Sequence, residues 1–282
     1  MSCLFVSDLH GRVDRYEKLF GLIQSEKPEA VFLGGDLLPH HALNGDGPAD
    51  FLRDFVAARL QDIKVLMADR YPEIFVILGN DDPRIEERSA VDIAARDLWK
   101  YAHGHRFELD RHVVFGYAFV PPTPFLQKDW EKYDVSRYIP PGSVSPEEGR
   151  RSVPVDPREV RFATIQEDLQ GLVGDADVEN AVVLFHAPPH GTTLDRAALD
   201  GKMIDHVPLD VHVGSIAIRR FIEERRPLLT LHGHIHESTR LTGSWRDRIG
   251  RTHMFNAAHD GPELAAVRFD LPLLENAERI LY

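Results

Sequence analysis

Apolar, β-branched runs recur along this chain, and each is followed by a polar cluster of similar chemistry. Leu4-Phe5-Val6, Val31-Phe32-Leu33, Ile74 to Leu78, Val182 to Phe185 and Leu228 to Leu231 each read as a buried strand. The clusters that follow are, in order, Asp8-Leu9-His10, Gly35-Asp36, Gly79-Asn80-Asp81, His186 and Gly233-His234-Ile235-His236. Between the first three runs lie two segments of helical period. One spans Asp14 to Glu26, with Tyr16, Leu19, Phe20, Leu22 and Ile23 on its apolar side and Pro28 ending it. The other spans Pro48 to Arg70 and is closed by Pro72. Strand alternating with helix predicts an α/β fold with a parallel sheet. A polar cluster at the end of strand after strand predicts a site on one sheet edge, where open α/β folds bind their ligands.

Further along, the pattern predicts a helix from about Arg84 to Ala102 and a strand from Val113 to Phe119. Residues 121 to 157 hold eight of the nineteen prolines, which predicts an irregular insertion. Its simpler role is an excursion packed on the surface or at a subunit contact; its functional role would be a lid or rim carrying Trp130, Tyr133 and Tyr138. Helical period returns from Arg158 to Gly174 and from Ser215 to Arg226, with Ser215 as the N-cap. Met254 to Ala257 and Leu264 to Phe269 close the chain as strands.

A chain of 282 residues can bury a large core. Because the candidate ligands run from Asp8 to His236, those segments must fold together, which predicts one domain over residues 1 to 282. Cys3 is the only cysteine, so no intramolecular disulfide forms, and a reducing compartment is expected. The amino terminus enters a strand without a basic and apolar leader, and no apolar run is long enough to span a bilayer. A cytoplasmic protein without a membrane partner is expected. The net charge of −12 opposes a broad electrostatic grip on extended nucleic acid but is compatible with a small phosphorylated substrate. Oligomeric state stays open.

Taken singly, a histidine in such a chain is usually a solvated or hydrogen-bonded side chain. Five ligand clusters in order, each closing an apolar strand, point instead to metal binding. The set DxH, GD, GN, H and GHxH resembles the calcineurin-like metallophosphoesterases. The stretches from His186 to Thr192, from His212 to Ser215 and from Gly233 to Ser238 are similar to the Icc-like branch of that family. The resemblance implies a four-layer αββα sandwich with a dinuclear centre. It implies that Asp8, His10, Asp36 and His236 hold one metal, and that Asp36 bridges to a second completed by Asn80, His186 and His234. Mixed imidazole, carboxylate and amide donors suit divalent or trivalent Mn, Fe or Zn ions and would cage Mg²⁺ or Ca²⁺ poorly. The expected reaction is in-line attack on phosphorus by a metal-bridging hydroxide.

Many members of that family read Gly-Asn-His where this chain reads Gly79-Asn80-Asp81. A carboxyl group beside two cations is expected to have a depressed pKa and to be a poor acid near neutrality. The change resembles a subgroup that favours phosphodiesters, so a small-molecule phosphodiesterase is expected. Asp82 is read as a group that orients a ligand or water. His190 and His212 are candidates to supply the missing proton, with a solvated loop histidine as the plain alternative for each. His40 and His41 follow the Asp36 turn closely enough to line the pocket. Arg12 and Arg84 are placed to meet a phosphate oxygen unless they serve as surface salt bridges. Competing functions are a phosphomonoesterase or protein phosphatase, a nuclease, and a non-catalytic scaffold. Position 81 weakens the first and the acidic charge weakens the second. The presence of all seven ligand residues weakens the third.

Overall fold

The computed structural model describes residues 1–39 and 50–282. Its strands, in chain order, are β1 (Ser2–Val6), β2 (Ala30–Gly34), β3 (Glu73–Ile77), β4 (Lys100–Tyr101), β5 (Arg106–Leu109), β6 (His112–Tyr117) and β7 (Ala181–Phe185). They continue with β8 (Met203–Ile204), β9 (Val207–Pro208), β10 (Leu229–His232), β11 (Arg246–Ile249), β12 (Thr252–Asn256), β13 (Ala265–Asp270) and β14 (Glu278–Leu281). Two six-stranded sheets form, ordered β14-β13-β1-β2-β3-β4 and β11-β12-β10-β7-β6-β5. Every residue of β2 and β7 is buried, as expected for central parallel strands covered on both faces. The sheets pack on each other through β2 against β7 and β3 against β6. Helices cover the outer faces: α1 (Val13–Glu26), α2 (Ala58–Met67) and α3 (Glu87–Ala94) on the first sheet, α4 (Pro157–Phe162), α5 (Ile165–Val173) and α6 (Ile216–Arg225) on the second, with α7 (Ser238–Thr242) after β10. This is a four-layer αββα sandwich.

The parallel order of β1, β2 and β3, and of β6, β7, β10 and β12, aligns the carboxyl ends of the central strands in each sheet. The α1 helix ends at Glu26, the end its sequence pattern predicts, where Lys27 takes a left-handed conformation just before Pro28 and donates its N–H to the Ile23 carbonyl. Ser215 caps α6 by accepting from the Ile218 N–H at 3.0 Å. Asp134, which sequence patterning did not single out, reinforces that end by accepting from the Ser215 hydroxyl and the Ile216 and Ala217 N–H groups.

Several sequence-based boundaries are corrected. The helix expected from Arg84 to Ala102 is a single 3₁₀ turn followed by α3, because the apolar residues Leu98, Trp99 and Tyr101 bury themselves at and beside the edge strand β4 instead. The helix expected from Arg158 to Gly174 is two helices, broken where Thr164 turns to extended backbone and caps α5 through the Glu167 N–H. Within the segment expected from Pro48 to Arg70, residues Phe51–Ala57 form a π-helical turn capped by Asp50 before α2 begins. His40, His41 and Pro48 lie outside the described residues.

The proline-rich insertion forms no helix or extended strand before α4 and is firmly packed. Trp130 is fully buried, with its ring 5.0 Å from that of His103 and 5.3 Å from that of Phe119, and the Arg84 guanidinium lies 5.4 Å from its centre. Tyr133 is buried, whereas Tyr138 is 68% exposed, so these aromatics do not act as one group. Lys128 and Glu131 form a fully buried ion pair at 2.5 Å. Gln127 reaches the Asp81 carbonyl at 3.4 Å, which brings the insertion to the rim of the ligand-bearing edge. No helix among the described residues is long and apolar enough to cross a membrane.

His103 couples this packing to pH. Enclosure by Tyr117, Phe119 and Trp130 strips its water, and Arg84 and Lys132 add like charge, lowering its pKa from 6.5 to about 3. Its Nδ1 accepts the Ala118 N–H at 3.0 Å, a bond that protonation would break. The folded value lies below the unfolded one, so this contribution is complete above pH 6.5 and is lost as pH falls toward 3. Urea unfolding between pH 6.5 and about 5 should show falling stability, and His103→Phe should reduce the slope by up to about 1.4 kcal/mol per pH unit. Equal slopes in the two proteins would contradict this account.

Candidate metal centre

Each polar cluster occupies the turn just past the carboxyl end of a central strand: Asp8 and His10 after β1, Asp36 after β2, Asn80 after β3, His186 after β7, and His234 and His236 after β10. Hydrogen bonds lace these turns together. The Asp8 and His10 N–H groups donate to the Gly35 and Asp36 carbonyls at 3.0 and 2.8 Å. Bonds to the backbone also cross between the sheets: His186 Nδ1 to the Gly34 carbonyl at 2.7 Å, and the His234 N–H to Asp8 Oδ1 at 3.1 Å.

The backbone is strained at four candidate ligand positions. Asp8, His10, Asp36 and His234 all have positive φ, at 57°, 48°, 53° and 72°. Such conformations persist in non-glycine residues only where the surroundings hold them. The glycine preceding a ligand in three of the motifs makes room. A Cβ on Gly35 would lie 2.7 Å from His186 Nδ1, one on Gly79 2.2 Å from Asp36 Oδ1, and one on Gly233 2.6 Å from Asp8 Oδ2. Each glycine is therefore a space requirement of the donor set.

Asp8, His10, Asp36 and His236 present donor atoms all within 4.8 Å of one another, and Asp36, His186 and His234 form a second such group. Asn80 joins the second through its Oδ1, 3.1 Å from His186 Nε2, and that nitrogen lies 3.2 Å from Asp36 Oδ2. Asp36 belongs to both groups. His10 Nε2 and His236 Nε2 approach to 3.1 Å, and His236 Nε2 lies 3.1 Å from Asp8 Oδ1. Asp8 and Asp36 are buried, which opposes their ionisation. The neighbouring imidazoles prevail: His236 holds Asp8 down to about 2, and His186 with His10 holds Asp36 well below the carboxylate range. In return, and against their own burial, Asp36 raises His186 to about 10 and Asp8 raises His236 to about 9. The two buried carboxylates thus demand positive charge beside them, and the imidazole, carboxylate and amide donors fit transition-metal cations in that role.

The remaining sequence candidates fall into four settings. Asp82, fully buried, accepts from the Leu37, Leu38 and Gly79 N–H groups at 2.9, 2.8 and 2.8 Å, bracing the Asp36 turn against the Gly79 turn. Asp81 borders the donors: its Oδ1 accepts from Asn80 Nδ2 at 2.9 Å, and its N–H donates to Asp36 Oδ1 at 2.9 Å. Burial, then Asp36 and Asp82, push the Asp81 carboxyl up to about 7, so the expected depression has to come from bound cations. His190 and His212 lie outside both donor groups, in the loop after β7. His212 Nδ1 meets Asp195 at 2.8 Å, and His190 Nε2 meets the exposed Asp210 at 3.2 Å. Arg12 pairs with Asp14 at 2.9 Å, and Arg84 lies over Phe119 and Trp130 beside Glu87, so both have protein partners.

Two contributors escaped sequence reasoning. Arg15, buried on α1, donates to the Asp8 carbonyl at 2.6 Å and to the Gly261 carbonyl at 2.5 Å, fixing the first ligand turn. Its signal was a charged residue beside Tyr16 on the buried side of an amphipathic helix. Asp195, also buried, lies in a loop with no periodic pattern to mark it.

A two-sheet sandwich with paired donor groups sharing one carboxylate defines a metallophosphoesterase-type architecture. The model of the calcineurin-like phosphoesterase family matches residues 1–238, and the chain belongs to that family. Solved structures agree on the fold. The protein TT1561 of Thermus thermophilus is 16% identical, with 99% of this chain and 98% of that one covered and a TM-score of 0.57. A dimetal phosphatase from Danio rerio is 13% identical, with 95% and 91% covered and a TM-score of 0.52. No curated protein matches the chain.

The motif glycines provide a direct test. Gly79→Ala should drive its methyl group into Asp36 and lower bound manganese below two equivalents per chain by elemental analysis, at a stability cost of about 1–3 kcal/mol. Gly21→Ala, where nothing lies within 4 Å, should leave the metal content unchanged. Two equivalents retained by Gly79→Ala would refute the space requirement.

Proposed function

We propose that this family member hydrolyses small phosphodiesters with two bound metal ions, of manganese, iron or zinc. The sharing of Asp36 between two donor groups carries the proposal. Asp8, His10, Asp36 and His236 would hold one ion, and Asp36, Asn80, His186 and His234 the other. When bound, such ions lower the pKa of a coordinated water toward neutrality and offset the charge of a phosphate.

The chain's own residues prepare the site. Asp82 keeps two ligand turns in register, and the Asp81 N–H fixes the orientation of Asp36. His186, with Nδ1 bonded to the Gly34 carbonyl, is oriented to offer Nε2 toward Asp36 and Asn80. Position 81 supports diester specificity by charge. A monoester brings up to two negative charges beside the Asp81 carboxylate, whereas a diester brings one, so like-charge repulsion favours the diester. The net charge of −12 supports a small substrate over extended nucleic acid. Both sheets contribute donors, which supports reading residues 1–282 as one domain. The lone, buried Cys3 is compatible with the cytoplasm, our proposed location.

Manganese added to metal-free protein should start hydrolysis of bis(4-nitrophenyl) phosphate, and Asp36→Asn should reduce that rate at least about 100-fold. A wild-type protein that neither binds metal nor turns over the diester would sink the proposal. Asp81→His should raise the ratio of monoester to diester turnover, measured as kcat/KM for 4-nitrophenyl phosphate against the diester. An unchanged ratio would remove position 81 as the basis of specificity.

A further inference from the structure

The loop between β7 and α6 carries a side-chain arrangement that metal binding does not use. Asp195 is fully buried, and its two oxygens accept four donors. Oδ1 takes the Thr192 N–H at 2.9 Å and His212 Nδ1 at 2.8 Å; Oδ2 takes the Gly191 N–H at 2.9 Å and the Gly214 N–H at 3.1 Å. An ionised carboxylate only accepts, so the proton of the His212–Asp195 bond sits on Nδ1. Nε2 is left as the nitrogen that exchanges a proton, and the His212 side chain is about one-third exposed. A buried carboxylate held by backbone N–H groups and orienting a solvent-facing imidazole is a proton-transfer device.

The loop is fastened beside the metal centre at two points. The Ser215 N–H donates to the Pro188 carbonyl at 2.9 Å, and the His190 N–H to the Ser215 carbonyl at 3.0 Å, which seats the His212 turn on the residues following the ligand His186. Gly214 fits there because a Cβ would meet the Pro188 carbonyl oxygen at 2.6 Å. On the other side, the Ala198 N–H donates to Glu237 Oε1 at 3.0 Å, next to the ligand His236. His190 lacks an equivalent brace, because its partner Asp210 is 61% exposed.

We propose that His212, positioned by Asp195, protonates the leaving oxygen of the phosphodiester, the task for which position 81 offers no imidazole. This rests on the phosphodiesterase reading and names its proton donor. A water oxygen bonds to phosphorus as the P–O bond to the leaving group breaks. The leaving oxygen takes the proton from His212 Nε2, and a proton of the attacking water restores it through solvent. Diester and water become monoester and alcohol.

Leaving-group dependence separates this role from a structural one. The 4-nitrophenolate of methyl 4-nitrophenyl phosphate departs without help, whereas the more basic phenolate of methyl phenyl phosphate benefits from an acid. His212→Asn keeps a side-chain N–H for Asp195 and should lower kcat on the phenyl diester about 100-fold, but that on the nitrophenyl diester by no more than about 5-fold, with two manganese ions still bound. Asp195→Asn should produce the same selective loss, smaller in size. Equal losses on both substrates, or no loss on either, would overturn the proposal. A wild-type protein with two bound metals and no turnover of either diester would overturn the phosphodiesterase reading, and this assignment with it.

Discussion

Burial of Asp8 and Asp36 at the seam between two sheets is the constraint around which the rest of the molecule is arranged. Ionised carboxylates excluded from water are unfavourable unless positive charge and hydrogen bonds surround them. Here the surroundings come from five separate strand ends, three in one sheet and two in the other. The bond from His186 Nδ1 to the Gly34 carbonyl and the bond from the His234 N–H to Asp8 tie those ends across the seam. The contacts that join the two sheets at this end are therefore the same ones that assemble the donor groups.

The same constraint explains where the chain tolerates awkward geometry. Left-handed backbone at Asp8, His10, Asp36 and His234 turns the donors inward immediately after their strands end. Glycine at 35, 79 and 233 removes the side chains that would collide with those donors. Arg15 and Asp82, neither within the donor groups, hold the turns from behind through backbone carbonyls and N–H groups. Local strain is balanced by a shell of hydrogen bonds that no single motif reveals.

The central strands, and the gathering of polar side chains past their ends, were legible in the sequence because both signals are local: an apolar β-branched run, then a residue of metal-binding type within a few positions. Edge elements were not. β4, β5, β11 and β14 are short or polar, since an edge strand presents only part of its surface to the core, and their alternation is too brief to read. The apolar run through Leu98, Trp99 and Tyr101 suggested a continuing helix, but those side chains are buried around an edge strand; periodicity alone does not separate the two over so few residues. The proline density of the insertion says nothing of its packing: the buried Lys128–Glu131 pair and the long reach of Asp134 to α6 have no sequence signature. The setting of His212 escaped for the same reason, because Asp195 lies seventeen residues away in an aperiodic loop.

Anomalous diffraction from manganese-loaded crystals would show whether a pair of adjacent metal ions shares Asp36. Two anomalous peaks bridged by the Asp36 carboxylate are expected, one flanked by Asp8, His10 and His236 and the other by Asn80, His186 and His234. A single peak, or metal bound away from Asp36, would contradict this arrangement.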